Sequence, residues 1–237
     1  LLVAALGLAA GLGLAAPAPA GAETRLMRMP DIHGNTIVFV YGGDLWTVDR
    51  AGGAARKLTN DVGIEIYPAF SPDGRTVAFS AEYDGNADVF TIPATGGEPT
   101  RLTFHPDGDR VACWYPDGKN LLIRTGRTNF TYRLQTFYKL PAAGGFATPT
   151  PPPIAGPACF SPDGKKLVLN NPTTEARTWK RYKGGLAPDL YIYDFAANTA
   201  EKITDYPGYD EFPMWFNDTI YFISDRVGGK MNVFAYD

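Results

Sequence analysis

Two cysteines, two histidines and four serines are all that the 237-residue chain holds of the side chains that do most nucleophilic and metal-binding work. A hydrolytic triad needs a serine aligned with a histidine, and a structural zinc site needs four Cys or His ligands. That scarcity argues against a complete catalytic domain and against a fold built on a metal. Charge of either sign is also modest: 22 Lys+Arg stand against 25 Asp+Glu, a net −3, with no block of five like charges. Nucleic acid is therefore not the expected partner. No stretch beyond residue 24 sustains a 3.6-residue apolar period, which excludes a largely helical protein. What the chain has in quantity is Gly (26), Pro (20) and aromatics (13%), the composition of short strands joined by many turns.

Leu1 to Ala16 is an unbroken run of Leu, Val, Ala and Gly, and Ala20-Gly21-Ala22 fits a signal-peptidase site before Glu23. Pro17 and Pro19 cut the run short of the roughly 20 residues a membrane helix needs. The expectation is a signal peptide over 1–22 lacking its Met and basic start, then a propeller over 23–237. The mature form would be exported, periplasmic or secreted, and would not be membrane-bound.

From residue 24 the sequence repeats. The best-formed unit runs from Tyr67 through the turn Ser71-Pro72-Asp73-Gly74, a strand to Ser80, a second turn at Asp84-Gly85, a strand Asp88 to Pro93, then Gly96-Gly97 and Arg101-Leu102-Thr103. Pro fixes φ and Gly supplies φ > 0 in such turns. Turn glycines at 34, 74, 118 and 164 step by 40, 44 and 46 residues. Four strands per unit at that period predict an all-β β-propeller of four-stranded blades. Five blades are started, and the fifth stops after its third strand, so the propeller reads as incomplete at its carboxyl end.

The run Pro30-Asp-Ile-His-Gly34 onward to Gly43-Asp-Leu-Trp46 resembles the opening of the first propeller of tricorn proteases, and Thr178-Trp-Lys-Arg-Tyr-Lys-Gly-Gly185 resembles an insertion in its fourth blade. The resemblance covers about residues 24–237. It implies a six-bladed first propeller, followed in the whole polypeptide by a second propeller, a helical region, a PDZ-like domain and an α/β core carrying the serine-peptidase residues. No catalytic residue carries over to this chain. The implied role is to scaffold and to gate short peptides toward a catalytic domain, with peptides and the remaining domains as partners; assembly into a homo-oligomer stays open. The rival readings are a TolB-like protein-binding propeller and the propeller of another hydrolase, of the prolyl oligopeptidase or amidohydrolase type.

Candidate binding residues are cations. Arg177 to Lys183 gathers Lys180, Arg181 and Lys183 around Trp179 and Tyr182, either as a solvated loop or as a contact for anionic peptide ends or the next domain. Arg110, entering blade three, lies in a loop that the resemblance links to peptide carboxylates. Ser71 and Ser161 read as turn caps, His33 and His105 as turn residues. Asp84-x-Asn86-x-Asp88 has the first half of a calcium-loop pattern but Thr95 where the bidentate Glu should be, so it reads as a hairpin. No metal and no cofactor is expected. Cys113 and Cys159, one repeat apart, should occupy the same site in successive blades and remain free thiols.

Overall fold

The computed structural model describes residues 26–130, 134–171 and 182–237; the predicted signal peptide lies outside them. Blade one is β1 (Arg28–His33), β2 (Thr36–Tyr41), β3 (Asp44–Asp49) and β4 (Arg56–Lys57). Blade two is β5 (Glu65–Phe70), β6 (Thr76–Ala81), β7 (Asp88–Pro93) and β8 (Thr100–Arg101). Blade three is β9 (Asp109–Trp114), β10 (Asn120–Thr125), β11 (Thr136–Pro141) and β12 (Thr148–Pro149). Blade four is β13 (Ala158–Phe160), β14 (Lys166–Asn171), β15 (Asp189–Asp194) and β16 (Thr199–Lys202). Blade five is β17 (Asp210–Phe216), β18 (Thr219–Val227) and β19 (Lys230–Tyr236). Each sheet is an antiparallel meander in chain order, and no helix occurs among the described residues. The first strands of successive blades touch, β1 with β5, β5 with β9, β9 with β13 and β13 with β17, which places them innermost around the axis.

Five blades form, not the six that the resemblance implies. At 40 to 46 residues per blade, residues 26–237 accommodate five.

The turns form for the reasons their residues suggest. Gly74 and Gly164 sit at φ +70° and +71°, where L side chains are strained. In each turn the serine hydroxyl donates to the aspartate two residues on (Ser71 to Asp73, 2.6 Å; Ser161 to Asp163, 2.7 Å) and accepts the amide of Thr76 or Lys166, both at 3.0 Å. Gly74 has a second reason. A Cβ there would lie 2.1 Å from Nδ1 of His33, which packs over it from blade one.

Innermost strands are bulged in blades one, two, three and five. Met29, Tyr67 and Phe212 sit at the bulges of β1, β5 and β17 with φ of 49°, 55° and 56°, the local kink that bends an inner strand around an axis. Between blades, alternate residues interlock: Val38, Phe79 and Phe90 between one and two, Val111, Leu121 and Ile123 between two and three, Leu122, Phe160 and Leu167 between three and four.

Among the described residues the outer face of blade five has no such partner. Phe216 and Val233 are 66% and 65% exposed, with Met214 and Met231 beside them, and β19 is paired on one edge only. An exposed apolar sheet face with a free edge is a template for pairing. Expressed alone, the chain should self-associate at micromolar concentration in light scattering; a monodisperse monomer with a sharp melt would contradict this.

Candidate functional site

Antiparallel register sends the start of every first strand, the hairpin between second and third strands, and the end of every fourth strand to one rim of the propeller. On that rim two polar devices recur, the first in blades one, two and four and the second in blades two, three and five. In the first, the aspartate opening the third strand pairs with a base on the fourth: Asp44 with Lys57 (2.9 Å), Asp88 with Arg101 (2.5 Å), Asp189 with Lys202 (2.8 Å). Two residues after the base a threonine Oγ1 accepts the amide next to the aspartate: Thr59 from Leu45, Thr103 from Val89, Thr204 from Leu190, each at 2.9 Å. The fourth strands therefore end at Lys57, Arg101 and Lys202, two residues before Thr59, Thr103 and Thr204, because a hydroxyl replaces the last rung.

The second device is a buried acid opening the first strand. Glu65, Asp109 and Asp210 are fully buried. Asp109 Oδ2 accepts from Arg127 Nη2 at 2.6 Å, and both oxygens of Asp210 accept from Arg226 Nη2 at 2.8 Å. In blade two, Tyr83 stands where these arginines do and donates to Glu65 Oε1 at 2.8 Å.

Of the sequence-predicted cations, Lys180 and Arg181 lie outside the described residues. Lys183 is exposed, and its Nζ sits 5.7 Å above the ring of Tyr206. Arg226 approaches the same ring at 5.5 Å, and Phe222 and Phe234 at 5.0 and 5.1 Å. Gly184 N donates to Pro207 O at 2.8 Å, so the end of the basic insertion is tied to the connection between blades four and five. Tyr206, Phe222, Arg226 and Tyr236 line a cavity of about 150 Å³ there. Arg110 is on β9, not in a loop, opposite Arg124. Arg124 is itself buried, with its guanidinium 4.7 Å from the Tyr67 ring centre. The structure thus brings Arg110 and Lys183 to one rim, on different blades. That rim also carries exposed apolar side chains on its loops, including Val62, Phe104 and Phe130 at 95%, 71% and 96% exposure.

The residues that could imitate a nucleophilic site are committed elsewhere. Ser71 and Ser161 cap turns, Ser80 Oγ accepts Val111 N (2.9 Å), and Ser224 Oγ accepts Arg226 N (3.3 Å). His33 Nε2 lies 3.2 Å from Pro72 O, and His105 Nδ1 accepts Asp107 N at 3.0 Å. Asp84 and Asp88 both hold Arg101, and Asn86 donates to His105 O, which makes the Asp84–Asp88 segment the hairpin expected. Among the described residues no group of three His, Cys, Asp or Glu could hold a metal ion.

Asp31 and His33 act between blades: Asp31 Oδ2 accepts Phe70 N at 2.6 Å while His33 covers the next turn. Desolvation raises the Asp31 carboxyl above the usual range, against the pull of that amide. The Pro30–Gly34 stretch is thus part of a blade-to-blade seam.

Fold and rim together define a β-propeller domain with a charged loop face. The chain belongs to the family of tricorn protease N-terminal beta propeller domains, whose model matches residues 24–237. It is 33% identical over 208 residues to "Tricorn protease homolog 1" of Streptomyces coelicolor, covering 85% of this chain and 19% of that protein. A crystal structure of the tricorn protease superposes with a TM-score of 0.77 at 30% identity, covering 90% of this chain and 21% of that one. A TolB structure from Agrobacterium tumefaciens, at 21% identity and a TM-score of 0.67, shares the fold. The chain spans about a fifth of the length of these two tricorn proteins.

Proposed function

We propose that this chain is the non-catalytic, peptide-admitting propeller of an exported tricorn-like serine peptidase. Its blades scaffold the enzyme and its bore selects short unfolded peptides, while the chemistry belongs to other parts of the polypeptide. The observation that carries the reading is the make-up of one rim: Arg110 and Lys183 share a face with exposed apolar loop residues. Cations beside apolar groups suit the carboxylate end of a peptide and a docked neighbouring domain. The occupied hydroxyls of all four serines support a role without covalent catalysis.

The test has two arms. The purified chain should show no saturable hydrolysis of a fluorogenic peptide; turnover blocked by a serine-directed reagent would overturn the scaffold reading. In the whole peptidase, Arg110→Ser with Lys183→Ser should raise KM for peptides with a free carboxyl end while kcat stays near wild type, the pattern of lost uniform binding. An unchanged KM would remove these two cations from the peptide path.

A further inference from the structure

One threonine of the repeated rim device lacks the acceptor that its counterparts have. Thr59 Oγ1 donates to Glu65 Oε2 at 2.7 Å, and Thr103 Oγ1 donates to Asp88 Oδ1 at 3.0 Å. Thr204 accepts the amide of Leu190 just as they accept theirs, but its hydroxyl donates to no group among the described residues. The acid that opens the following blade, Asp210, is turned to Arg226 instead, with both oxygens on Nη2.

Thr204 lines the cavity of about 150 Å³ between blades four and five, and three other donors line it too. Arg226 commits Nη2 to Asp210 and Nε to Ser224 Oγ at 3.1 Å, which leaves Nη1 without an acceptor among the described residues. Tyr206 and Tyr236 are the other two, and neither phenol hydroxyl is hydrogen-bonded among the described residues. The Tyr206 ring is flanked by two cations, Lys183 Nζ at 5.7 Å and Arg226 Cζ at 5.5 Å. The acid in the lining, Asp205, is fully exposed, with an oxygen 3.7 Å from Lys202 Nζ. Donors thus outnumber acceptors around this cavity, and the Phe222 and tyrosine rings give it apolar walls.

We propose that the cleft between blades four and five is a binding site for a small carboxylate on a short apolar stem, with Thr204, Tyr206, Arg226 and Tyr236 as its donors. An ionised carboxyl group only accepts hydrogen bonds and has two oxygens to share among several donors. The guanidinium makes one of those bonds charge-assisted, and Lys183 adds a second positive charge nearby. The ligand supplies at Thr204 the oxygen that Glu65 and Asp88 supply to Thr59 and Thr103. Binding makes and breaks no covalent bond, and it does not depend on the propeller admitting peptides. The carboxylate has two sources, a chain end or an acidic side chain.

The experiment is a ligand-observed NMR titration of the full chain, which tolerates self-association. N-acetylalanine should bind saturably with a Kd on the order of 1 mM, the range for a ligand of so few atoms. N-acetylalaninamide, its uncharged counterpart, should bind at least about tenfold more weakly. The double variant Tyr206→Phe with Tyr236→Phe removes two donors, keeps both rings and leaves the Arg226–Asp210 pair untouched. It should weaken N-acetylalanine binding about tenfold, with its melt checking the fold. N-acetylglutamic acid α-amide carries its only carboxylate on the side chain; tighter binding than N-acetylalanine assigns the site to an acidic side chain, and weaker binding assigns it to a chain end. Equal binding of acid and amide, no saturable binding of either carboxylate, or unchanged affinity in the folded double variant would each overturn the site.

Discussion

Arg127→Ala should destabilise the propeller by about 3–5 kcal/mol in urea unfolding, the usual cost of orphaning one member of a buried ion pair. Asp109 is fully buried at the start of β9. Its Oδ2 depends on Arg127 Nη2 at 2.6 Å, and its Oδ1 has no partner among the described residues. The carboxylate thus hangs on one guanidinium. That guanidinium is held in turn by Thr125 Oγ1, which accepts Arg127 Nε at 3.4 Å, and by the Tyr138 ring 5.0 Å away. Without it, a buried carboxylate is left with no cation against it. A domain of ordinary stability has about 5–15 kcal/mol in all, so the variant should sit near the edge of folding at 37 °C. Asp109→Asn in the same background should recover roughly half the loss, because an uncharged amide is far cheaper to bury. A loss below about 1 kcal/mol, or no rescue by Asn, would show that the pair is solvated and carries little.

The period, the turns and the strand order are legible in the sequence because each rests on local chemistry: Pro and Gly at fixed offsets around Ser71–Gly74 and Ser161–Gly164, and alternating apolar residues between them. The matching site of Cys113 and Cys159, both free thiols, is legible for the same reason, since a shared offset from the turn means a shared register. What is not legible depends on contacts between elements. The pairing of Asp44, Asp88 and Asp189 with Lys57, Arg101 and Lys202 recurs at a constant separation of thirteen residues, a signal present in the sequence but meaningful only once the third and fourth strands are in register. The buried acids Glu65, Asp109 and Asp210 look like ordinary loop carboxylates, since nothing local reveals that a strand starts there facing a core. Asp31 stands in a recognisable motif, yet its partner Phe70 belongs to the next blade, 39 residues on. Arg110 reads from the sequence as the end of the loop His105 to Arg110, whereas Asp109 N bonds Ala87 O and draws it onto β9.

Glu65 is where the charge logic of the rim can be read by pH. It opens blade two but binds blade one: Oε2 accepts Thr59 Oγ1 at 2.7 Å and Leu45 N at 3.1 Å, and Oε1 accepts Tyr83 OH at 2.8 Å. Burial pushes its carboxyl above the ordinary 4.5, and these donors, which pull the other way, do not reverse it. Glu65→Ala should cost about 2–3 kcal/mol, since it strips acceptors from a site with little access to water. Glu65→Gln should cost under about 1 kcal/mol, because its carbonyl can face Thr59 and Leu45 while its amide donates to the Tyr83 oxygen. The sign of the pH effect follows from proton binding. Between 4.5 and the raised value the folded chain holds the Glu65 proton more often than the unfolded chain does, so this group's contribution to stability falls as pH rises through that window. Glutamine has no such proton. The stability difference between the two should therefore move in favour of Glu65→Gln as pH goes from 4 to 7, measured by urea unfolding at each pH. A difference moving the other way would mean that the three donors outweigh desolvation and hold the carboxylate as a net stabilising anion.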